Sequence, residues 1–349
     1  MTYCVGWKYN DNVFLLADTA ATKLAKPSTT YSSFGQLHAE VRGEHVEESL
    51  LKLVPLGAGT VAAYAGNVQL ATQCLDFLRD GLVTTNGIRN LLQMLTANLG
   101  PFRPDRAVEL LVATSAEVGK CELVRWSTVH GIDAREADFY HIGSLTSYHS
   151  ALTPALLSQL VAGKLDAKRM LPIASAVVQS YGVHDNLIDM NVGGLIFGVQ
   201  TALGVVTWQQ DTNYVLYAPS FAFRAWITAI ARDNALVISS SLTDDTRVLG
   251  HSTSMPRRDL WNEQWLTGAK AALDSAKSPC WIFISTLGKV ITVIFRADVS
   301  KDSRYVRLTH CGNGKFDLAL SPELMALLCQ PLEDRNDGSL PFRLNVRND

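Results

Sequence analysis

The chain has 349 residues, 47% of them hydrophobic and 18% charged, with a formal net charge of −2. That length and balance suit one large or two modest globular domains with a substantial core. The near-neutral charge and the lack of a basic stripe argue against a nucleic-acid partner.

Tyr3 to Lys8 and Val13 to Asp18 are β-rich runs separated by "YNDN", which predicts a hairpin whose strands are covered on both faces. "AATKLAKPSTTYSSFGQLHAEVRG", residues 20–43, is Ser/Thr-rich and reads as an irregular loop or insertion. "LLKLVPL" and "TVAAYAG" are the next strands. Helical spacing follows in "VQLATQCLDFLRDGL" and "IRNLLQMLTANL", closed by Pro101 and Pro104. Strands "AVELLVATS" and "KCELVRWST" lead to "FYHIGS". A second helical pair, "TPALLSQLVAG" and "AKRMLPIASAVVQSYG", precedes strands "GGLIFGVQ" and "GVVTWQ". Strand blocks alternating with helix pairs predict two stacked sheets with helices on both outer faces, an α/β (α+β) four-layer αββα sandwich over residues 1–215.

Residues 216–349 read as a C-terminal α+β extension or small domain. "FAFRAWITAIAR" has Phe223, Trp226, Ile227 and Ile230 on one helical face. "ALVISS", "CWIFIS" and "KVITVIF" read as strands, "YVRLTHCGNGKFDLAL" as a hairpin turning at Asn313-Gly314, and "PELMALLCQ" as a last helix. The polar end from Glu333 onward is expected to be loosely held. The longest apolar stretch, Trp281 to Phe295, is broken by Gly288 and Lys289 and is too short to span a bilayer. No signal-peptide pattern opens the chain. The six cysteines are scattered, with no pair at metal-ligand spacing, as expected of reduced, mostly buried thiols in a cytoplasmic protein.

The start of the chain carries the chemistry. Removal of Met1 would leave Thr2 as the terminus, with a free α-amine beside a hydroxyl, a self-contained base and nucleophile. With Asp11 near the centre of the turn, cross-strand partners sum to about 22, setting Thr2 opposite Ala20 and Cys4 opposite Asp18. A buried Asp18 needs a cation, and Lys52, inside an apolar run, needs an anion. A lysine cation there would keep the amine neutral and stabilise charge developing on the threonine oxygen. On geometry alone a structural Asp–Lys pair and an ordinary Met-Thr start explain the same residues, so both readings stand.

"MTYCVGWKYNDNVFLLADTAAT", "KLVPLGAGTVAAYAGN", "VELLVATS", "HIGS" and "NVGGLIFG" resemble, in collinear order over about residues 2–210, proteasome β subunits and bacterial proteasome-like peptidases. The first six residues most resemble the bacterial ancestral-β-subunit group. The resemblance implies Thr2 as nucleophile, Asp18 and Lys52 as its partners, and Ser144 and Asp189 near the amine. It also implies the Ala63 N–H as oxyanion donor and Thr22 as a substrate-holding strand position. A peptide or unfolded-protein substrate, a homo-oligomeric ring or helical stack and an ATP-dependent unfoldase partner are implied as well, with no cofactor and no metal. Three departures stand out. Val192 replaces the usual serine before Gly193-Gly194, and Leu145 replaces a glycine. The 33 residues between Asp18 and Lys52 are about twice the family's gap. A rearranged loop would let Asp185 compete with Asp189 for its role. An inactive scaffold or binding subunit, or an amidase for small substrates, are the alternatives. His38 and His45 among glutamates, His310-Cys311 and "TDDTR" from Thr243 to Arg247 read as solvated or structural features rather than sites.

Overall fold

The computed structural model describes residues 2–348 apart from 28, 42, 58, 85–86, 100–103, 118–119, 145–146, 163, 185–186, 219–222, 233–234, 244–245, 252–262, 277, 287–289, 296–302, 313–314 and 330–342. Strands β1 (Tyr3–Tyr9) and β2 (Asn12–Ala17) form the opening hairpin. Its loop is the two residues Asn10 and Asp11, and Asn10 adopts a left-handed φ of 50°. Cys4 therefore faces Ala17, and partners sum to 21 rather than 22. The shorter loop moves Asp18 one residue closer to the chain start: its N–H donates to the Tyr3 carbonyl at 3.1 Å.

The expected loop over 20–43 contains ordered structure. Strands β3 (Ala20–Lys23), β4 (Glu40–Val41) and β5 (Glu44–Glu48) make a three-stranded sheet in the order β3-β5-β4. Charged "EHVEE" hides a strand because only Val46, Glu47 and Glu48 are buried, the glutamates through ion pairs. Next come β6 (Leu53–Gly57), β7 (Thr60–Gly66), α1 (Val68–Thr84) and α2 (Ile88–Asn98). Then follow β8 (Val108–Glu117), β9 (Lys120–Ser127), β10 (Gly131–Ile132), β11 (Phe139–Gly143), α3 (Ser147–Ala162), α4 (Ala167–His184), β12 (Phe197–Ala202) and β13 (Val205–Trp208).

Two five-stranded sheets result, β11-β1-β2-β12-β13 and β10-β9-β8-β7-β6, each antiparallel throughout. Strands β1 and β2 contact β7, β8 and β9, so the sheets meet face to face. Helix α1 packs on β6, β7 and β8 through Leu70, Ala71, Cys74, Leu75 and Leu78. Helix α4 packs on β2 and β12.

Strands β14 (Thr212–Ala218), β15 (Phe223–Arg232), β16 (Ala235–Ser240), β17 (Arg247–Gly250), β18 (Cys280–Ser285) and β19 (Val290–Phe295) belong to a third sheet. The hairpin β20 (Val306–Gly312) and β21 (Lys315–Leu320) forms its own two-stranded sheet, packed on the third through Val306 and Leu318, its Asn313-Gly314 turn outside the described residues. Strand β22 (Arg343–Asn348) completes the seven-stranded order β17-β16-β15-β14-β18-β19-β22. Helices α5 (Glu263–Ser275) and α6 (Pro322–Leu328) pack on this sheet.

Four expectations need correction here. Residues 223–232 are strand, not helix: β15 lies between β14 and β16, with apolar side chains buried on both faces. The chain end is not loose, because β22 pairs in parallel with β19. Helix α4 is not an outer layer: besides β2 and β12 it contacts β18 and β19. Met170, Leu171, Ile173, Ala174, Val177 and Val178 are accordingly all buried, so the middle of this helix is covered on every side. Of the six cysteines, Cys4, Cys74 and Cys280 are buried, Cys121 is half-buried and Cys311 and Cys329 are exposed, so burial is less general than the scattered spacing suggested.

Candidate functional site

Asp18 follows β2 with a carboxylate that is wholly buried. Its Oδ1 accepts the Lys52 ammonium at 2.7 Å and the Tyr3 N–H at 3.0 Å. Its Oδ2 accepts the Gly193 N–H at 3.2 Å. Lys52 stands immediately before β6 rather than inside it and is 2% exposed. Each charge has a direct counter-charge, and the carboxylate is further satisfied by two backbone donors, which is what makes burial of both tolerable.

Thr2 precedes β1 and is 6% exposed. Its carbonyl accepts the Ser144 N–H at 2.7 Å. Ser144 follows β11, and the turn there needs Gly143: φ is 92°, and a Cβ at that position would lie 1.7 Å from the Thr2 oxygen. Ala63 sits in β7 opposite Leu53, the residue after Lys52, and is fully buried. Thr22 is in β3, facing Val46. The structure therefore ties Thr2 to Ser144, and Asp18 to Lys52 and to the residue after Thr2. Ala63 and Thr22 occupy strand positions on β7 and β3. Asp189 falls in the 3-10 turn Leu187–Met190, its side chain outside the described residues, as are Asp185 and Leu145 altogether. Val192 is buried and presents no hydroxyl.

Just behind this pair lies a second buried carboxylate that the sequence did not flag. Glu48, in β5, binds the Arg247 guanidinium at 2.6 Å and accepts the Leu195 N–H at 2.7 Å. Gly194, with φ 71°, lets the chain pass so closely that a Cβ would lie 2.5 Å from Thr19 Oγ1. Arg247 was visible only as the last residue of "TDDTR", whose Asp244 and Asp245 are outside the described residues. No signal linked it to a glutamate 199 positions away.

His38 and His45 belong to the small sheet region. His38 Nδ1 lies 2.8 Å from the Thr29 carbonyl, and burial holds its pKa below the ordinary value. Among the described residues no three His, Cys, Asp or Glu are grouped to hold a metal ion. His310 borders a cleft of about 350 Å³ with Trp226, Ser241, Lys270 and Asp274, while Cys311 is exposed. Among the described residues no helix is long and apolar enough to cross a membrane.

No family model and no curated protein matches the chain. Among solved structures it is similar to eukaryotic HslV from Trypanosoma brucei, at 16% identity and a TM-score of 0.38 over 58% of this chain and 99% of that one. A likeness this loose assigns neither fold nor activity.

Proposed function

We propose that the chain is an N-terminal-nucleophile hydrolase of the threonine type, which cuts peptide bonds through Thr2 once Met1 is removed. The observation that carries this reading is the buried Asp18–Lys52 pair, anchored through the Tyr3 N–H to the residue next to Thr2. A base–nucleophile terminus has every need of a fixed cation there.

In this mechanism Thr2 Oγ1 attacks the substrate carbonyl and its proton passes to the α-amine, whose reference pKa of about 8 leaves it partly neutral. The Lys52 charge stabilises the oxygen as its proton leaves, and Asp18 holds Lys52 in place. The Ala63 N–H holds the oxyanion, and the Thr22 backbone lines up an extended peptide. The protonated amine, supported by Ser144 and Asp189, returns its proton to the leaving amine as the C–N bond breaks. Water then hydrolyses the ester on Thr2. The same reading takes residues 1–215 as a four-layer αββα sandwich and 216–349 as its extension. It makes the working form a cytoplasmic homo-oligomer enclosing its sites, supplied with unfolded protein by an ATP-dependent unfoldase.

Val192 favours a second reading, a non-catalytic scaffold, because it removes a hydroxyl from the terminal amine's surroundings. Intact-mass and N-terminal sequencing of natively produced protein separate the two. A chain beginning at Thr2 with peptide hydrolysis abolished in Thr2→Ala supports the hydrolase. A chain retaining Met1 and inert to threonine-directed acylating probes supports the scaffold.

A further inference from the structure

Residues beyond 216 carry no chemistry legible in the sequence, yet they reach the candidate site. Glu48 accepts Ser33 N–H at 2.8 Å, Ser33 Oγ–H at 2.5 Å, Thr19 Oγ1–H at 3.2 Å and the Leu195 N–H, and its side chain is fully buried. Its counter-charge is Arg247 of β17, itself 9% exposed. The second Arg247 amino group donates to Thr29 Oγ1 at 2.7 Å and to the Tyr31 carbonyl. Two more ties run the same way: Ser240 Oγ–H to the Ser33 carbonyl at 2.8 Å, and Leu51 N–H to the Gly250 carbonyl at 3.1 Å.

These bonds converge on the turn that serves Asp18. Gly193 donates to Asp18 Oδ2, Gly194 to Gln36 Oε1 at 3.1 Å and Leu195 to Glu48 Oε1 at 2.7 Å. Leu51, held by Gly250, is the residue before Lys52. Without Arg247 the Glu48 charge would be buried with neutral donors alone, a state that buried carboxylates avoid by moving or taking up a proton. Either response loosens the Leu195 bond and, through the turn, the Gly193 bond.

We infer that Arg247 is a positioning residue: through Glu48 it fixes the Gly193–Leu195 turn and hence the Asp18 carboxylate, so that the C-terminal sheet is a working part of the site. The inference rests on Asp18–Lys52 being that site. Amide hydrogen exchange of the full chain tests it without requiring activity, comparing Gly193, Gly194 and Leu195 with Val5 and Leu15 of the first hairpin. Arg247→Met is expected to speed exchange at the three turn amides at least tenfold, with the hairpin amides changed less than threefold. Arg247→Lys, which keeps the charge but not the fork, is expected to fall between. Glu48→Gln combined with Arg247→Met is expected to lie closer to wild type than Arg247→Met alone, because no bare charge remains. Unchanged turn amides, or an equal rise everywhere, would overturn the inference. If Arg247→Met does not fold, Arg247→Lys decides by the same criterion. Where hydrolysis is measurable, kcat should fall with KM nearly unchanged. A wild-type chain without hydrolysis sinks the peptidase reading and leaves the exchange result to judge Arg247.

Discussion

Asp18 shows what a single buried charge demands. Replacing it with alanine leaves the Lys52 ammonium buried beside no carboxylate, a change expected to cost about 3–5 kcal/mol. Urea titration should show the midpoint drop, and Asp18→Ala with Lys52→Leu should recover most of it, since the pair rather than either charge is what the interior tolerates. Gly143→Ala should be as damaging as its size suggests it should not be. The methyl group meets the Thr2 carbonyl at 1.7 Å, so either that carbonyl or the Ser144 bond must give way. Loss of soluble protein or a markedly lowered melting temperature is the expected result. The Asp18–Lys52 contact was legible because a lysine in an apolar run needs a partner and the hairpin supplied one. Glu48–Arg247 was not: the glutamate sat in a charged stretch and the arginine in a polar turn, and neither context signals burial.

At the scale of elements, periodicity served where one face is wet and failed where none is. Helices α1 and α2 alternate buried and exposed positions, and their pattern was readable. Residues 223–232 bury Ala225, Trp226, Ile227, Ala229 and Ile230 on both faces of a central strand, so apolar residues fall at every spacing and a helical face can be drawn through them. Strand β22 escaped for the opposite reason. "RLNVRN" is polar, and its place is set by backbone pairing with β19 in parallel register, Val290 opposite Arg343. Removing residues 331–349 therefore should not be neutral. It leaves β19 as an unpaired edge, and a truncated chain is expected to melt about 5 °C or more below wild type and to self-associate in size-exclusion chromatography.

Across the whole molecule the C-terminal sheet is tied to the residues around Asp18 through buried polar groups, and a buried histidine lies next to them in sequence. His251, just after β17, stacks against Trp208 of β13 with ring centroids 6.2 Å apart, and burial pushes its pKa down to about 4. Between about pH 6.5 and 4 the unfolded chain takes up a proton there that the folded chain refuses. Stability therefore falls with acidification across that window, by up to about 1.4 kcal/mol per pH unit. Burial shifts His38 and His141 in the same direction, adding slopes of the same sign. Urea midpoints at pH 7, 6 and 5 should decline less steeply in His251→Phe than in wild type. The setting of α4 has a consequence for biosynthesis. Its partners β2 and β12 leave the ribosome before β18 and β19 exist, so a nascent chain of about 215 residues must carry one flank of that helix without cover and the Glu48 carboxylate without its Arg247 counter-charge. Such an intermediate is the form a holding chaperone would meet, and its retention should end when the last strands emerge.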